Sequence, residues 1–295
     1  MEQSYLSNLS KYKLNKIISE SISKFKEKLN ISNFSFGCEV EFLADKDLKL
    51  IKNDIHKRHI DYNVDYDSYL YETQTPILKN HIEDWKNFKE VLNIIKNNGG
   101  YITDDMGGHI HFDQSIIKEE NLVYFLKLWY SFEDIIYEFS YGETDHLRLN
   151  AYEYAKKLGE KLKSRINLYV NDKRRLGLFL LFNKEFGLNL NNHLMYSRQD
   201  NFIEDCKDTY EVRCPNGTLN ELVWQNNVNF FASLFRFAND DNNKELIDAF
   251  YEAGKQRVTF KNALLLGDLI YSDSESKIDY VKQYKGEFRN NKKDK

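Results

Sequence analysis

The segment FGCEVEF, residues 36–42, alternates strictly, and this alternation constrains the fold more than any other feature of the chain. Successive side chains of a strand point to opposite faces. Phe36, Cys38, Val40 and Phe42 therefore share one face, and Gly37, Glu39 and Glu41 the other. Three further segments carry the same two-faced pattern. In YETQTP (71–76), Glu72 and Gln74 lie opposite Tyr71 and Thr73. In GGHIHFD (107–113), His109 and His111 lie opposite Ile110 and Phe112. In TYEVRCP (209–215), Glu211 and Arg213 lie opposite Tyr210, Val212 and Cys214. The four patterns agree if the strands share a sheet, with the charged groups and imidazoles gathered on one of its faces.

Between these strands the apolar period changes to 3.6. Leu14, Ile17, Ile18, Ile22, Phe25 and Leu29 predict one helix near the start. Trp85, Phe88, Val91, Leu92 and Ile95 predict a second, stopped by Gly99 and Gly100. Leu122, Phe125, Leu126, Trp129, Phe132 and Ile136 predict a third, and Val228, Phe231, Leu234, Phe235 and Ala238 open a helical last third. Residues 143–185 read as helical but charged, and FGLNL (186–190) as a short strand. The chain has only two prolines, Pro76 and Pro215, each just past a predicted strand, where the missing N–H does no harm. Strands scattered among helices without βαβ spacing predict an α+β fold with a largely antiparallel sheet. The expected division is an N-terminal helical segment over 1–33, a main domain over 34–275 and a polar basic tail over 276–295.

Composition narrows the function classes. A formal charge of −4 over 295 residues gives no nucleic-acid signal. The stretch MEQSYLSNLSKYKLNK carries no apolar h-region, and no run of about 18 apolar residues occurs in the sequence. Cys38, Cys206 and Cys214 are odd in number and scattered, which reads as reduced thiols. The expectation is a cytoplasmic protein without nucleic-acid or membrane partners.

Taken singly, each polar pattern has an ordinary structural explanation. Glu39 and Glu41 could edge a solvated strand, and Glu211 with Arg213 could be an ion pair worth under about 1 kcal/mol. Together they ask for more. Carboxylates two residues apart on a strand stand roughly 7 Å apart at their Cα atoms. They repel by about 2 kcal/mol at an effective dielectric near 20, and a cation between them removes that cost. Glu39, Glu41, Glu72, His109 and Glu211 make a carboxylate-rich set that suits Mg²⁺ or Mn²⁺ better than Zn²⁺. Arg213 adds a fork for phosphate or carboxylate, and Gly107 and Gly108 leave backbone open to a bulky anion. Hard cations beside an anion-binding arginine equip a site for phosphoryl transfer from ATP.

The order of these motifs resembles the amidoligase family, the carboxylate–amine ligase branch of the glutamine synthetase and glutamate–cysteine ligase superfamily. GGHIHFDQS and YEVRCPNGTLNELVW carry the resemblance most specifically, and it spans roughly residues 34–240. It implies a curved antiparallel sheet with helices on its outer face. It implies metal ligation by Glu39, Glu41, Glu72, His109 and Glu211, with His109 on the metal of the nucleotide phosphates. His111 would lie against the nucleotide, and Arg213 would hold phosphate or substrate carboxylate. The implied reaction joins a carboxylate to an amine at the expense of ATP, with Glu41 and Arg213 at the reacting groups. The acid and the amine could belong to small molecules, peptides or protein side chains.

The sequence departs from the family in one place. Amidoligases carry an arginine shortly before an LN strand, where this chain has NKEFGLNL with Lys184. Arg174 and Arg198 lie nearby in sequence, so the second anion contact stays unassigned. Two other readings stay open: a metal hydrolase built on the HIH pair, for which only His146 and His193 follow, and an inactive nucleotide-binding domain of the same fold.

Overall fold

Among the described residues, six antiparallel strands pair in one open sheet, and a seventh pairs with its central strand. The computed structural model describes residues 6–31, 34–67, 69–172, 184–190 and 209–289. The strands are β1 (Phe36–Ala44), β2 (Asn63–Asp67), β3 (Leu70–Gln74), β4 (Gly100–Tyr101), β5 (Gly108–Asp113), β6 (Leu188–Asn189) and β7 (Thr209–Val212). Their order is β2-β3-β1-β5-β7-β6, with β4 on the far end of β1. Ten α-helices are found among the described residues. They are α1 (Lys11–Glu20), α2 (Leu48–His56), α3 (Ile82–Asn97), α4 (Leu122–Phe139), α5 (Ala151–Tyr154), α6 (Gly159–Asp172), α7 (Glu221–Asn239), α8 (Lys244–Ala253), α9 (Phe260–Ile270) and α10 (Ser274–Tyr284). The fold is α+β with an open antiparallel sheet.

The alternation of β1 survives in its burial. Phe36, Cys38, Val40 and Phe42 are buried, while Gly37, Glu39 and Glu41 are partly open. Each large apolar side chain taken out of water contributes roughly 1.5–3 kcal/mol, so the register of β1 is strongly determined. The apolar face is covered by aromatic residues from the helices. Trp85 of α3 packs on Phe36 with ring centroids 5.1 Å apart. Phe235 of α7 meets Phe112 of β5 and Tyr210 of β7 on one side, and stacks on Phe125 of α4 at 3.9 Å on the other. The stripes read from the sequence in α3, α4 and α7 are these contacts. α3 ends where Gly99 takes a left-handed φ of 79°, and α7 begins where Asn220 Oδ1 accepts the Leu222 N–H.

Two expectations need correction. The predicted first helix stops at Glu20, because the amide and the hydroxyl of Ser21 both donate to Ile17 O and end the ladder there. Ile22 is exposed, and Leu29 reaches the core outside any helix, its N–H held by Asn80 Oδ1. The predicted tail is not wholly a tail. Residues 274–284 form α10, whose Tyr280 is buried and stacks on Phe230 and Phe139. Two of its lysines are buried too: Lys277 pairs with Asp268 at 3.2 Å, and Lys282 donates to Ser21 O. A polar composition concealed a helix that packs through a few aromatic residues. Leu6, Leu14 and Tyr284 belong to the same hydrophobic cluster as the sheet residues.

Candidate functional site

Residues directly opposite in an antiparallel ladder share a face, and the register sorts the polar groups into rows. Glu39 stands between Gln74 of β3 and His109 of β5. Glu41 faces Glu72. His111 stands between Gly37 of β1 and Glu211 of β7, and Glu211 faces Asn189 of β6. Arg213 follows one residue beyond β7. The structure thus brings Glu39, Glu41, Glu72, His109, His111, Glu211 and Arg213 to the side of the sheet away from the helical core.

Glu39 is the junction. Its Oε2 lies 3.1 Å from His109 Nδ1 and its Oε1 lies 3.1 Å from His111 Nε2. Burial opposes the Glu39 charge, but the hydrogen bonds and charges of the two imidazoles prevail and hold its carboxyl far below the usual range. Glu211 is nearly fully buried. Its Oε1 accepts from Arg213 Nη1 and its Oε2 from Asn189 Nδ2 at 2.7 Å. Here too burial works upward, and the charge of Arg213, then of the two histidines, brings the carboxyl below its ordinary value. Glu72 goes the other way. Burial and then the Glu39 charge raise it, against a 2.6 Å hydrogen bond from Gln74 Nε2.

Two overlapping groups of side chains are spaced to hold a metal ion: Glu39 with Glu72 and His109, and Glu39 with His111 and Glu211. The Nε2 atom of His109 is buried without a hydrogen-bond partner among the described residues, a demand that a cation could meet. Oxygen-rich sets with imidazole fit a hard divalent ion. Glu41 stands in neither group; its Oε2 accepts the Gly107 N–H at 2.6 Å.

Clefts open on both sides of Glu39. The first, about 400 Å³, is polar and includes Glu41, Glu72, His109, Arg148, Lys184 and Arg213. Tyr69 and Tyr154 line it as well, both about half exposed. The second, about 460 Å³, includes Gly37, Pro76, Ile77, His111 and Thr209 and is more apolar. Thr209 Oγ1 lies 3.2 Å from His111 Nδ1.

Sequence reasoning missed Arg148, Asn189 and Thr209. Asn189 and Thr209 become neighbours of the site only through strand pairing. Arg148 had a signal, because it directly precedes a Leu-Asn pair, but the pair was sought in a strand and residues 148–150 lie in a loop. Of the three basic residues considered for the second anion contact, Lys184 lines the first cleft. Arg174 and Arg198 lie outside the described residues, as do Cys206 and His193. Cys38 and Cys214 are buried free thiols. Gly107 and Gly108 make room for protein groups: a Cβ on Gly107 would stand 1.4 Å from Arg148 Nη1, and one on Gly108 2.9 Å from the Trp224 ring. No helix among the described residues is long and apolar enough to cross a membrane.

No curated protein matches this chain. A family model described as "Putative amidoligase enzyme" matches residues 7–235, a span that includes every strand of the sheet and every residue of the polar face described above. The extent of that match, well over half of the sequence, places the chain in the amidoligase family.

Proposed function

We propose that this protein is an ATP-dependent carboxylate–amine ligase that uses Mg²⁺ or Mn²⁺, on a sheet curved as in the glutamine synthetase and glutamate–cysteine ligase superfamily. The observation that carries the reading is Glu39, shared by two metal-fit groups with the buried Glu211–Arg213 pair beside them. Family membership supports a ligase-type reaction.

The chemistry explains the inventory. A carboxylate is a poor electrophile, and phosphorylation by ATP gives an acyl phosphate that an amine can attack. Two anions must first be brought together against their repulsion. Divalent cations would supply charge neutralisation at the phosphates. Glu39, Glu41, Glu72, His109 and Glu211 are the residues to hold them. His111, which the resemblance puts against the nucleotide, stands close enough to Glu39 and Glu211 to serve as a ligand as well. Arg213, oriented by Glu211, offers its remaining donors to phosphate or carboxylate. The more apolar cleft beside His111 suits the base, and the polar cleft suits the acid and amine.

The hydrolase reading is weaker. His146 is bonded to the adjacent Asp145 on the surface, and among the described residues His109 and His111 are the only imidazoles lining the two clefts. The deciding experiment is a screen of amino acids, peptides and dicarboxylates for ADP release in the presence of Mg²⁺, ATP and an amine. Substrate-dependent ADP release with amide formation is the expected result. Phosphate release from ATP without any amide product in every combination would count against a ligase.

A further inference from the structure

The polar cleft holds a buried cation that the ligase reading leaves without a task. Arg148 sits in the loop between α4 and α5, and Asn216 pins that loop. Asn216 Oδ1 accepts the Arg148 N–H at 2.9 Å, and its Nδ2 donates to Thr144 Oγ1 and His146 O at 2.7 and 2.8 Å. The Arg148 side chain is only 2% exposed yet lines the cleft. Its Nη2 donates to Arg213 O at 3.1 Å and to Tyr154 O at 3.4 Å, and its Nη1 lies over Gly107, where no Cβ stands in the way. Nη1 stops 4.0 Å from Glu41 Oε2, beyond hydrogen-bond reach. Nε has no partner among the described residues. Burying a guanidinium without a carboxylate in hydrogen-bond contact is costly, so a purely structural arginine here would be poorly compensated.

Taking its chemistry from the ligase reading, we propose that Arg148 is the second anion contact of the cleft and binds an oxyanion of the reactants, carboxylate or phosphoryl, beside Arg213. It occupies the role for which the sequence offered only Lys184, Arg174 and Arg198. Nη2 already donates to two backbone carbonyls, which leaves Nη1 and the unpartnered Nε to donate to the oxyanion. Asn216, on the turn after the strand of Glu211, acts as a positioning residue that ties this loop to the site.

The test uses the full chain with three probes: MgATP, inorganic phosphate and glutarate. Binding is measured by calorimetry, and apo melting is recorded for each variant. Arg148→Gln should weaken at least one probe about tenfold or more, and Arg148→Lys less, because lysine keeps the charge without the fixed guanidinium donors. Loss confined to glutarate assigns the contact to the acid, and loss of phosphate and MgATP assigns it to the phosphoryl group. Both outcomes support the proposal. Variants that fold and bind all three probes like the wild type overturn it, as does a wild type that binds none. If Arg148→Gln does not fold, Arg148→Lys carries the test; unfolding of both marks Arg148 as scaffold and overturns the proposal. Wild-type protein that binds glutarate or phosphate through Arg148 but never MgATP keeps this inference and removes the ligase reading.

Discussion

Glu39 and His109 stand directly opposite each other on β1 and β5, with Oε2 and Nδ1 3.1 Å apart. Glu39 of this pair is the member that both metal-fit groups share, and the consequences can be measured.

In the metal-free protein the ionised Glu39 should confer acid sensitivity. Its folded pKa is depressed, so its contribution to stability is complete above the ordinary carboxylate range and is lost progressively as pH falls from that range toward the depressed folded value. Denaturant melts of wild type should therefore lose stability between about pH 5 and pH 3 more steeply than those of Glu39→Gln. Parallel curves would show that the imidazoles do not hold this charge.

Glu72 should behave oppositely. Its folded pKa is raised by burial and by Glu39, so its ionised form destabilises the metal-free fold at neutral pH. Glu72→Gln should melt higher than wild type at pH 7, with the gain disappearing near pH 4, where both states are protonated. Added Mg²⁺ should reverse the order by stabilising wild type more. A variant that melts lower at pH 7 without metal would contradict the assigned repulsion.

Glu211 and Glu41 separate folding from function. Glu211→Ala leaves Arg213 buried without its carboxylate, a loss of about 3–5 kcal/mol that should appear as a large drop in melting temperature. Glu41→Gln keeps an acceptor for the Gly107 N–H and should shift stability by no more than about 0.5 kcal/mol. If Glu41 is a metal ligand, the same change should sharply reduce Mg²⁺-dependent ATP turnover. Unchanged turnover per folded molecule would remove Glu41 from the site.

Metal and nucleotide should act together. If the carboxylate–imidazole groups and Arg213 form one site, Mg²⁺ plus ATP should raise the melting temperature by more than the sum of the separate shifts. Additive shifts in calorimetry would place them at independent sites.

The chain by itself determined what depends on neighbours in sequence. Alternation in 36–42, 71–76, 107–113 and 209–215 placed Glu39, Glu41, Glu72, His109, His111, Glu211 and Arg213 on strand faces, because side-chain direction in a strand is a local property. The aromatic stripes of α3, α4 and α7 were legible for the same reason. What local pattern could not carry was pairing. The order β2-β3-β1-β5-β7-β6 decides that Glu39 meets both histidines, that Asn189 and Arg213 share the oxygens of Glu211, and that Glu41 bonds to Gly107. Composition concealed α10, since two tyrosines, a valine and an isoleucine among lysines and acids read as solvated chain until Phe139 and Phe230 supply a surface to pack on. Arg148 is the plainest case: its loop has no periodicity of its own, and contacts distant in sequence, from Asn216 to its backbone and from Arg213 O to its side chain, bring its guanidinium over Gly107.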